Sequence, residues 1–309
     1  MDPLIEIKNR RIKLRKICIV LVLISFLCTV VFISRVSEND IYDAPAEVDM
    51  KISNSGNIPI FVITPTYYRP VQKAELTRLK HTFKLVPHIH WIVVEDASQF
   101  TVLVTKLLKN SGLSYTHLVQ PTPASKKLKN KEGKWIKARG VLQRNRGLKW
   151  IRENLYLGQE GVIYFADDDN TYSLELFEEI RRTKKVSIWP VGLVGGLYVE
   201  KPIVKNGKVV GFNAAWRPER KFPIDMAGFA VSLKHLLSKP EAKFSYSSEG
   251  GFQETDFLSL LTTREELEPL AANCSKVLVW HTRSENPTLI QEKQLKRKGL
   301  KPSNYGMEE

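Results

Sequence analysis

Three consecutive carboxylates, Asp167-Asp168-Asp169, close an apolar run that climbs from Gly161 to Ala166. A buried strand ending this way delivers acidic side chains to the carboxyl edge of a sheet, where open α/β folds bind ligands. Adjacent carboxylates repel one another, and holding three of them against an apolar strand is costly unless a cation sits there. Oxygen ligands suit Mg²⁺ or Mn²⁺, which bind through one or two carboxylates plus substrate phosphates. The pattern points to a metal–diphosphate site. The competing reading is an acidic turn capping the next helix, since Asn170 and Ser173 precede Leu174–Ile180.

Other residues could do chemistry around such a site. Asp96 follows the apolar run His90–Val94, a usual place to bind a ribose hydroxyl or a base; the competing reading is a cap on the helix that follows. Arg139 and Arg144 are five residues apart, which places them near one face of the first turns of a helix expected over 137–151. There they would clamp a diphosphate or carboxylate, or simply face solvent. Asp225 lies in an apolar stretch and needs a hydrogen-bonding partner, either a sugar hydroxyl or a backbone turn. Glu254 opens a helix, as a general base or as favourable charge at its N-terminus. His281 and Arg283 leave the last apolar strand, Val277–Trp280, toward one edge.

The elements that must position these groups are legible in outline. Ile60–Ile63, His90–Val94 and Ser114–Val119 read as strands, separated by helices over 71–85 and 101–109. Val191–Tyr198 reads as strand throughout, its glycines marking close backbone approach. Residues 203–212 read as a hairpin turning at Asn206-Gly207, followed by a loop with Trp216 and Arg220. Glu292–Lys298 reads as a charged helix. Strands alternating with helices predict an α/β fold with a mostly parallel sheet.

The bulk numbers place limits on this. Of 309 residues with net charge +14, the first sixteen contribute +4, from six Lys/Arg against two Asp/Glu. The remaining charge is scattered and no nucleic-acid motif occurs, so an anionic substrate suits the basic surface better than nucleic acid. The lysines of the 121–133 loop read as solvated. Residues 17–34 carry no charge and follow a basic stretch, which predicts a short membrane span with its N-terminal end cytosolic. The chain is thus expected to comprise a cytoplasmic tail (1–16), a signal-anchor (17–34), a lumenal stem (35–57) and a catalytic domain (58–309). That domain divides into a donor-binding half (58–170) and an acceptor-binding half (171–309). A lumenal domain also makes the sequon Asn273-Cys274-Ser275 a glycosylation site. Cys274 is the one cysteine outside residues 17–34, so no intradomain disulfide is possible.

Taken together the motifs resemble the β1,3-glucuronyltransferase family. The matching segments include Pro65-Thr66-Tyr67, Val94-Glu-Asp96, Arg139-Gly140, Gln143-Arg144-Asn145, Tyr164–Tyr172, Trp189–Gly196, Asp225–Ala230, Ala271–Cys274 and Val279–Arg283. They run in family order over residues 58 to about 297. The resemblance implies a GT-A type Rossmann-like fold and a type II Golgi membrane enzyme, homodimeric and Mn²⁺-dependent. Such enzymes transfer glucuronic acid from UDP-glucuronic acid to a galactose-terminated glycan with inversion. Carried over position by position, it implies that Asp169 binds Mn²⁺ while Asp167 and Asp168 contact donor sugar and ribose. Pro65, Thr66, Tyr67 and Asp96 would line the uracil site. Arg139, Arg144, His281 and Arg283 would surround the diphosphate and the glucuronic carboxylate. Glu254 would be the catalytic base, and Asn170, Glu200, Trp216, Arg220 and Asp225 would bind acceptor galactose. The family's acceptors include Galβ1-3Gal of the proteoglycan linkage region, which the Trp216 position favours, and Galβ1-4GlcNAc termini. A non-catalytic Golgi glycan-binding protein is the alternative; the intact aspartates and Glu254 argue against it.

Overall fold

The computed structural model describes residues 58–127, 139–285 and 287–307. The expected tail, anchor and stem (1–57) lie outside the described residues, as do residues 128–133 of the lysine-rich loop. Among the described residues no helix is long and apolar enough to cross a membrane.

The strands are β1 (Ile60–Thr66), β2 (Ile89–Glu95), β3 (Ser114–Val119), β4 (Val162–Phe165), β5 (Thr171–Tyr172), β6 (Val186–Ile188), β7 (Val191–Gly192), β8 (Val199–Lys205), β9 (Lys208–Asn213), β10 (Phe229–Ser232), β11 (Glu268–Pro269) and β12 (Val279–Trp280). The helices are α1 (Gln72–Lys84), α2 (Val102–Lys109), α3 (Val141–Asn154), α4 (Leu174–Ile180), α5 (Leu233–Leu237), α6 (Gln253–Ser259) and α7 (Ile290–Arg297). One sheet runs in the order β11-β6-β10-β4-β1-β2-β3, and a smaller one in the order β5-β12-β7-β8-β9. β4, β1, β2 and β3 are parallel, in register Ile63↔Phe165, Ile60↔Ile89 and His90↔Ser114. The fold is the mostly parallel, Rossmann-like α/β sheet expected.

The central strands are uninterrupted apolar runs because both of their faces are covered. Ile60 and Val62 of β1 enter one core with Leu76, Leu79 and Phe83 of α1. Phe61 and Ile63 enter the opposite core with Leu148 and Ile151 of α3. Burying each such side chain contributes about 1.5–3 kcal/mol. α3 approaches so closely that a Cβ on Gly147 would lie 2.8 Å from Ile63 Cγ2.

The two expected halves meet within the large sheet: β11, β6 and β10 come from residues 171–309, and β4, β1, β2 and β3 from residues 58–170. β10, from the C-terminal half, inserts antiparallel between β4 and β6, with Ala230 opposite Tyr164 and Ser187. This places Asp225, just before β10, beside the aspartates that end β4. Two local expectations are corrected. α3 starts at Val141, because Gly140 adopts φ +69 and breaks the path from residue 139; Arg139 and Arg144 therefore do not share a helical face. The strand expected over 191–198 stops at Gly192: Leu193, Gly195 and Gly196 all take positive φ and the chain turns. Close approach does occur at Gly192, where a Cβ would lie 2.4 Å from Trp280 Cδ1. The Asn206-Gly207 hairpin forms as expected, with φ of +51 and +71.

Candidate active site

The carboxyl ends of β1, β2 and β4 form one polar edge. Asp96 donates its N–H to the Thr66 carbonyl at 2.8 Å. Its carboxylate accepts both the N–H and the hydroxyl of Thr122, each at 2.7 Å. Beside it Glu95 is buried, accepting the Thr101 hydroxyl at 2.6 Å and facing His117 Nε2 at 2.5 Å. Pro65 pairs with Val94, and Tyr67, just past the end of β1, is 45% exposed.

The three aspartates have three different environments. Asp168 is buried and gripped by Arg69, whose Nη1 and Nη2 donate to its two oxygens at 2.8 and 2.7 Å; Thr66 Oγ1 adds a bond at 2.6 Å. Asp167 accepts from Arg144 Nη2 at 2.6 Å. The Asp169 carboxylate has no hydrogen-bond or ion-pair partner among the described residues. Burial, then the charges of Asp167 and Asp168, push its pKa up. Its backbone is nevertheless fixed: Thr282 Oγ1 donates to its carbonyl at 2.5 Å and Arg78 Nη2 at 2.8 Å. Arg78 reaches the carbonyl of buried Asn170 as well, at 3.4 Å. An open carboxylate, destabilised by its acidic neighbours and held on a rigid turn, fits a divalent cation with oxygen ligands.

A second cluster adjoins it. Asp225 caps the turn Met226–Gly228 through the Ala227 N–H at 2.9 Å, and its other oxygen faces His281 Nδ1 at 2.8 Å. Of the two partners the sequence left open for Asp225, the backbone turn is present, and His281 is a further one. The hydrogen bond with Asp225 raises His281 to about 9 against the opposing effect of burial. Burial pushes Asp225 up, but the His281 hydrogen bond and charge outweigh it and leave the carboxyl below its ordinary range. Glu254, on the first turn of α6, is pushed up to about 7 by burial and by the negative charge of Asp225. Glu200 on β8 reaches about 7 for the same two reasons.

Trp216 lies on the same side. The Arg220 guanidinium stands 4.6 Å from its ring centroid and donates to the Gly251 carbonyl at 2.9 Å. Gly251 has φ +80, and a Cβ there would lie 2.4 Å from Trp216 Cη2. His281, Thr282 and Arg283 line a cavity of ≈ 570 Å³ with Leu193, Gly195 and Gly196. Arg139 is exposed and offers its carbonyl to Arg144 Nη1 at 2.9 Å. Asn273 lies apart from the cluster. It is exposed, in a turn where Ala271, Ala272, Asn273 and Cys274 all have φ between +52 and +59. Such left-handed residues cost roughly 1–2 kcal/mol each. The turn is held partly by Glu179 Oε2, which accepts the Ala271 N–H at 3.0 Å.

A profile of glycosyltransferase family 43 matches residues 79–285. The chain belongs to glycosyltransferase family 43. It is 55% identical over 250 residues to human galactosylgalactosylxylosylprotein 3-beta-glucuronosyltransferase 3, covering 78% of this chain and 75% of that one. It is 46% identical over 304 residues to Drosophila melanogaster galactosylgalactosylxylosylprotein 3-beta-glucuronosyltransferase I, covering 96% of this chain and 99% of the other. Among solved structures, S. aureus TarS 1–349 aligns with TM-score 0.46 and 14% identity, over 73% of this chain and 60% of its own.

Several residues of this family 43 enzyme escaped the sequence reading. Arg69 and Arg78 lie on the turn after β1 and on α1, and Thr282 lies between two expected site residues. Gln72 of α1, which the family resemblance covers without giving it a role, is buried and donates to Thr66 Oγ1 at 3.0 Å. Their signal in the sequence is weak, because polar side chains at the start of an amphipathic helix normally face solvent.

Proposed function

We propose that this glycosyltransferase moves glucuronic acid from UDP-glucuronic acid to the 3-hydroxyl of a terminal galactose, with Galβ1-3Gal of the proteoglycan linkage region as its acceptor. The observation that carries this reading is Glu254. It is a carboxyl raised to about 7, and it lies within electrostatic reach of Asp225 and of Arg144, which is bound to Asp167 at the donor edge. A base of that strength beside an aspartate edge suits removal of a proton from a sugar hydroxyl.

Tyr67 and Asp96, with Pro65 and Thr66, hold uracil. Asp169 holds Mn²⁺, and Asp167 and Asp168 face the donor sugar and ribose. The cation, when bound, neutralises charge developing on the leaving diphosphate. Arg139, Arg144, His281 and Arg283 orient the diphosphate and the glucuronic carboxylate, as guanidinium forks do for planar anions. Glu200, Arg220 and Asp225, with Asn170, bind the acceptor galactose over the Trp216 ring. Glu254 takes the proton of the galactose 3-hydroxyl as that oxygen attacks the anomeric carbon opposite UDP. One displacement inverts the α-linked donor to a β-linked product.

The names of the relatives support this acceptor. The apolar run 17–34 and its basic flank support a single-pass type II anchor in the Golgi membrane, with the catalytic domain lumenal and Asn273 glycosylated. We place the enzyme in a homodimer on the family resemblance. The test is to incubate the purified full chain with UDP-glucuronic acid, Mn²⁺ and either Galβ1-3Gal or Galβ1-4GlcNAc, and to weigh the products. Transfer to Galβ1-3Gal is expected; transfer confined to Galβ1-4GlcNAc moves the enzyme to the glycan-capping branch, and UDP binding without transfer to either points to another donor or acceptor, or to a glycan-binding protein.

A further inference from the structure

Arg69 touches both parts of the donor site. It lies in the turn between β1 and α1 and is 9% exposed. Its fork closes on Asp168, the middle aspartate, through two bonds of 2.8 and 2.7 Å. Its guanidinium carbon also stands 4.7 Å from the centroid of the Tyr67 ring, and Nη1 donates to the Tyr67 carbonyl at 3.3 Å. The Asp168 oxygen that accepts Nη1 also accepts Thr66 Oγ1 at 2.6 Å, and Gln72 Nε2 backs Thr66 at 3.0 Å. One buried cation thus bridges the aromatic ring at the end of β1 to the aspartate turn at the end of β4.

Bidentate geometry fixes angle as well as distance. With Asp168 clamped, the backbone on either side of it is fixed, and with it the positions of Asp167 and Asp169. The same guanidinium restrains the Tyr67 ring through a cation–π contact. A lysine at 69 would keep the charge and lose the fork.

We propose that Arg69 is a positioning residue that couples the nucleobase platform at Tyr67 to the aspartate turn, so that a uridine diphosphate and a divalent cation bind as one unit. The inference rests on the donor site proposed above. Its signature is thermodynamic: the factor by which Mn²⁺ strengthens UDP binding measures the coupling between the two subsites, and it is reciprocal. Merely structural ion pairs change stability without changing that factor.

The experiment is calorimetric titration of UDP into the full chain with and without Mn²⁺, alongside melting temperatures. Arg69→Lys is expected to shrink the Mn²⁺-dependent gain in UDP affinity about tenfold, on the order of one charge-assisted hydrogen bond. Arg69→Lys and Asp168→Asn together are expected to lose little more than either alone, because they break the same contact. Arg181→Lys is the comparison. Arg181 is also buried, but it holds the Ile58 and Pro87 carbonyls at the opposite end of the sheet; the substitution should lower the melting temperature and leave the gain intact. If Arg69→Lys does not fold, Thr66→Val removes a neutral donor from the same carboxylate, with a loss of about threefold expected. An unchanged Mn²⁺-dependent gain in the folded Arg69 or Thr66 variant, or additive losses in the double variant, overturns the inference alone. No UDP binding, or binding indifferent to Mn²⁺, in the unaltered chain overturns the donor-site reading and this inference with it.

Discussion

His281 Nδ1 and Asp225 Oδ2 meet at 2.8 Å across 56 residues of sequence. The pair ties β12, whose end lines the cavity with Thr282 and Arg283, to the turn before β10, which adjoins Glu254. It keeps His281 charged at neutral pH, with its pKa raised to about 9, and so makes it a cation available to an anionic donor.

Opposite pH limbs follow from two groups. Glu254 acts as a base only when deprotonated, so kcat/KM should rise with pH through about 7. His281 serves an anionic donor only when protonated, so kcat/KM should fall through about 9. A bell-shaped profile of initial rates with those limbs is expected. His281→Gln should lose the alkaline limb and keep the acidic one.

The same ion pair links pH to stability. His281 has a folded-state pKa above its ordinary 6.5, so its contribution is complete below about pH 6.5 and is lost as pH rises through about 9. Melting temperatures of the full chain should show that decline. In Asp225→Asn the decline over this window should flatten, because the histidine loses the partner that raised it.

Glu254→Gln removes the proposed base and keeps the shape. A fall in kcat of roughly 10²–10⁴-fold is expected. UDP affinity, measured by calorimetry, should stay within about twofold, because the proposed role of Glu254 is on the acceptor. A comparable fall in UDP affinity would assign Glu254 to the donor site instead.

Gly251→Ala adds one carbon, at 2.4 Å from Trp216 Cη2, on a backbone at φ +80 that L-residues rarely adopt. The Trp216 ring must shift, and with it the Arg220 guanidinium bonded to the Gly251 carbonyl. KM for acceptor should rise roughly five- to thirtyfold, on the order of 1–2 kcal/mol, while KM for donor stays near its original value.

The sequence revealed the parts of the site that lie at the ends of apolar strands, because a buried strand leaves little doubt about where its last residues emerge. Asp96, Asp167–Asp169 and His281 are of this kind. The boundaries set by left-handed backbone were harder to read: Gly140 ends the path that would have put Arg139 on α3, and Leu193 with Gly195 and Gly196 turns what looked like strand. Contacts between distant segments were not legible at all. Nothing in the spacing of Arg69 and Asp168, 99 residues apart, announces their ion pair. Nor does any local pattern place β10 between β4 and β6, the insertion that brings Asp225 to the aspartate edge. The family resemblance supplied expectations that local patterns leave open, such as the acceptor contacts it implies for Glu200 and Trp216.

The most direct test is the product made by the full chain from UDP-glucuronic acid and Galβ1-3Gal in the presence of Mn²⁺, read by proton NMR beside the Glu254→Ala variant. The account predicts one glucuronic acid, β-linked to the 3-position of the terminal galactose, and product from the variant reduced by roughly 10²–10⁴-fold. An α-linked product, or a variant as active as the unaltered chain, would contradict it.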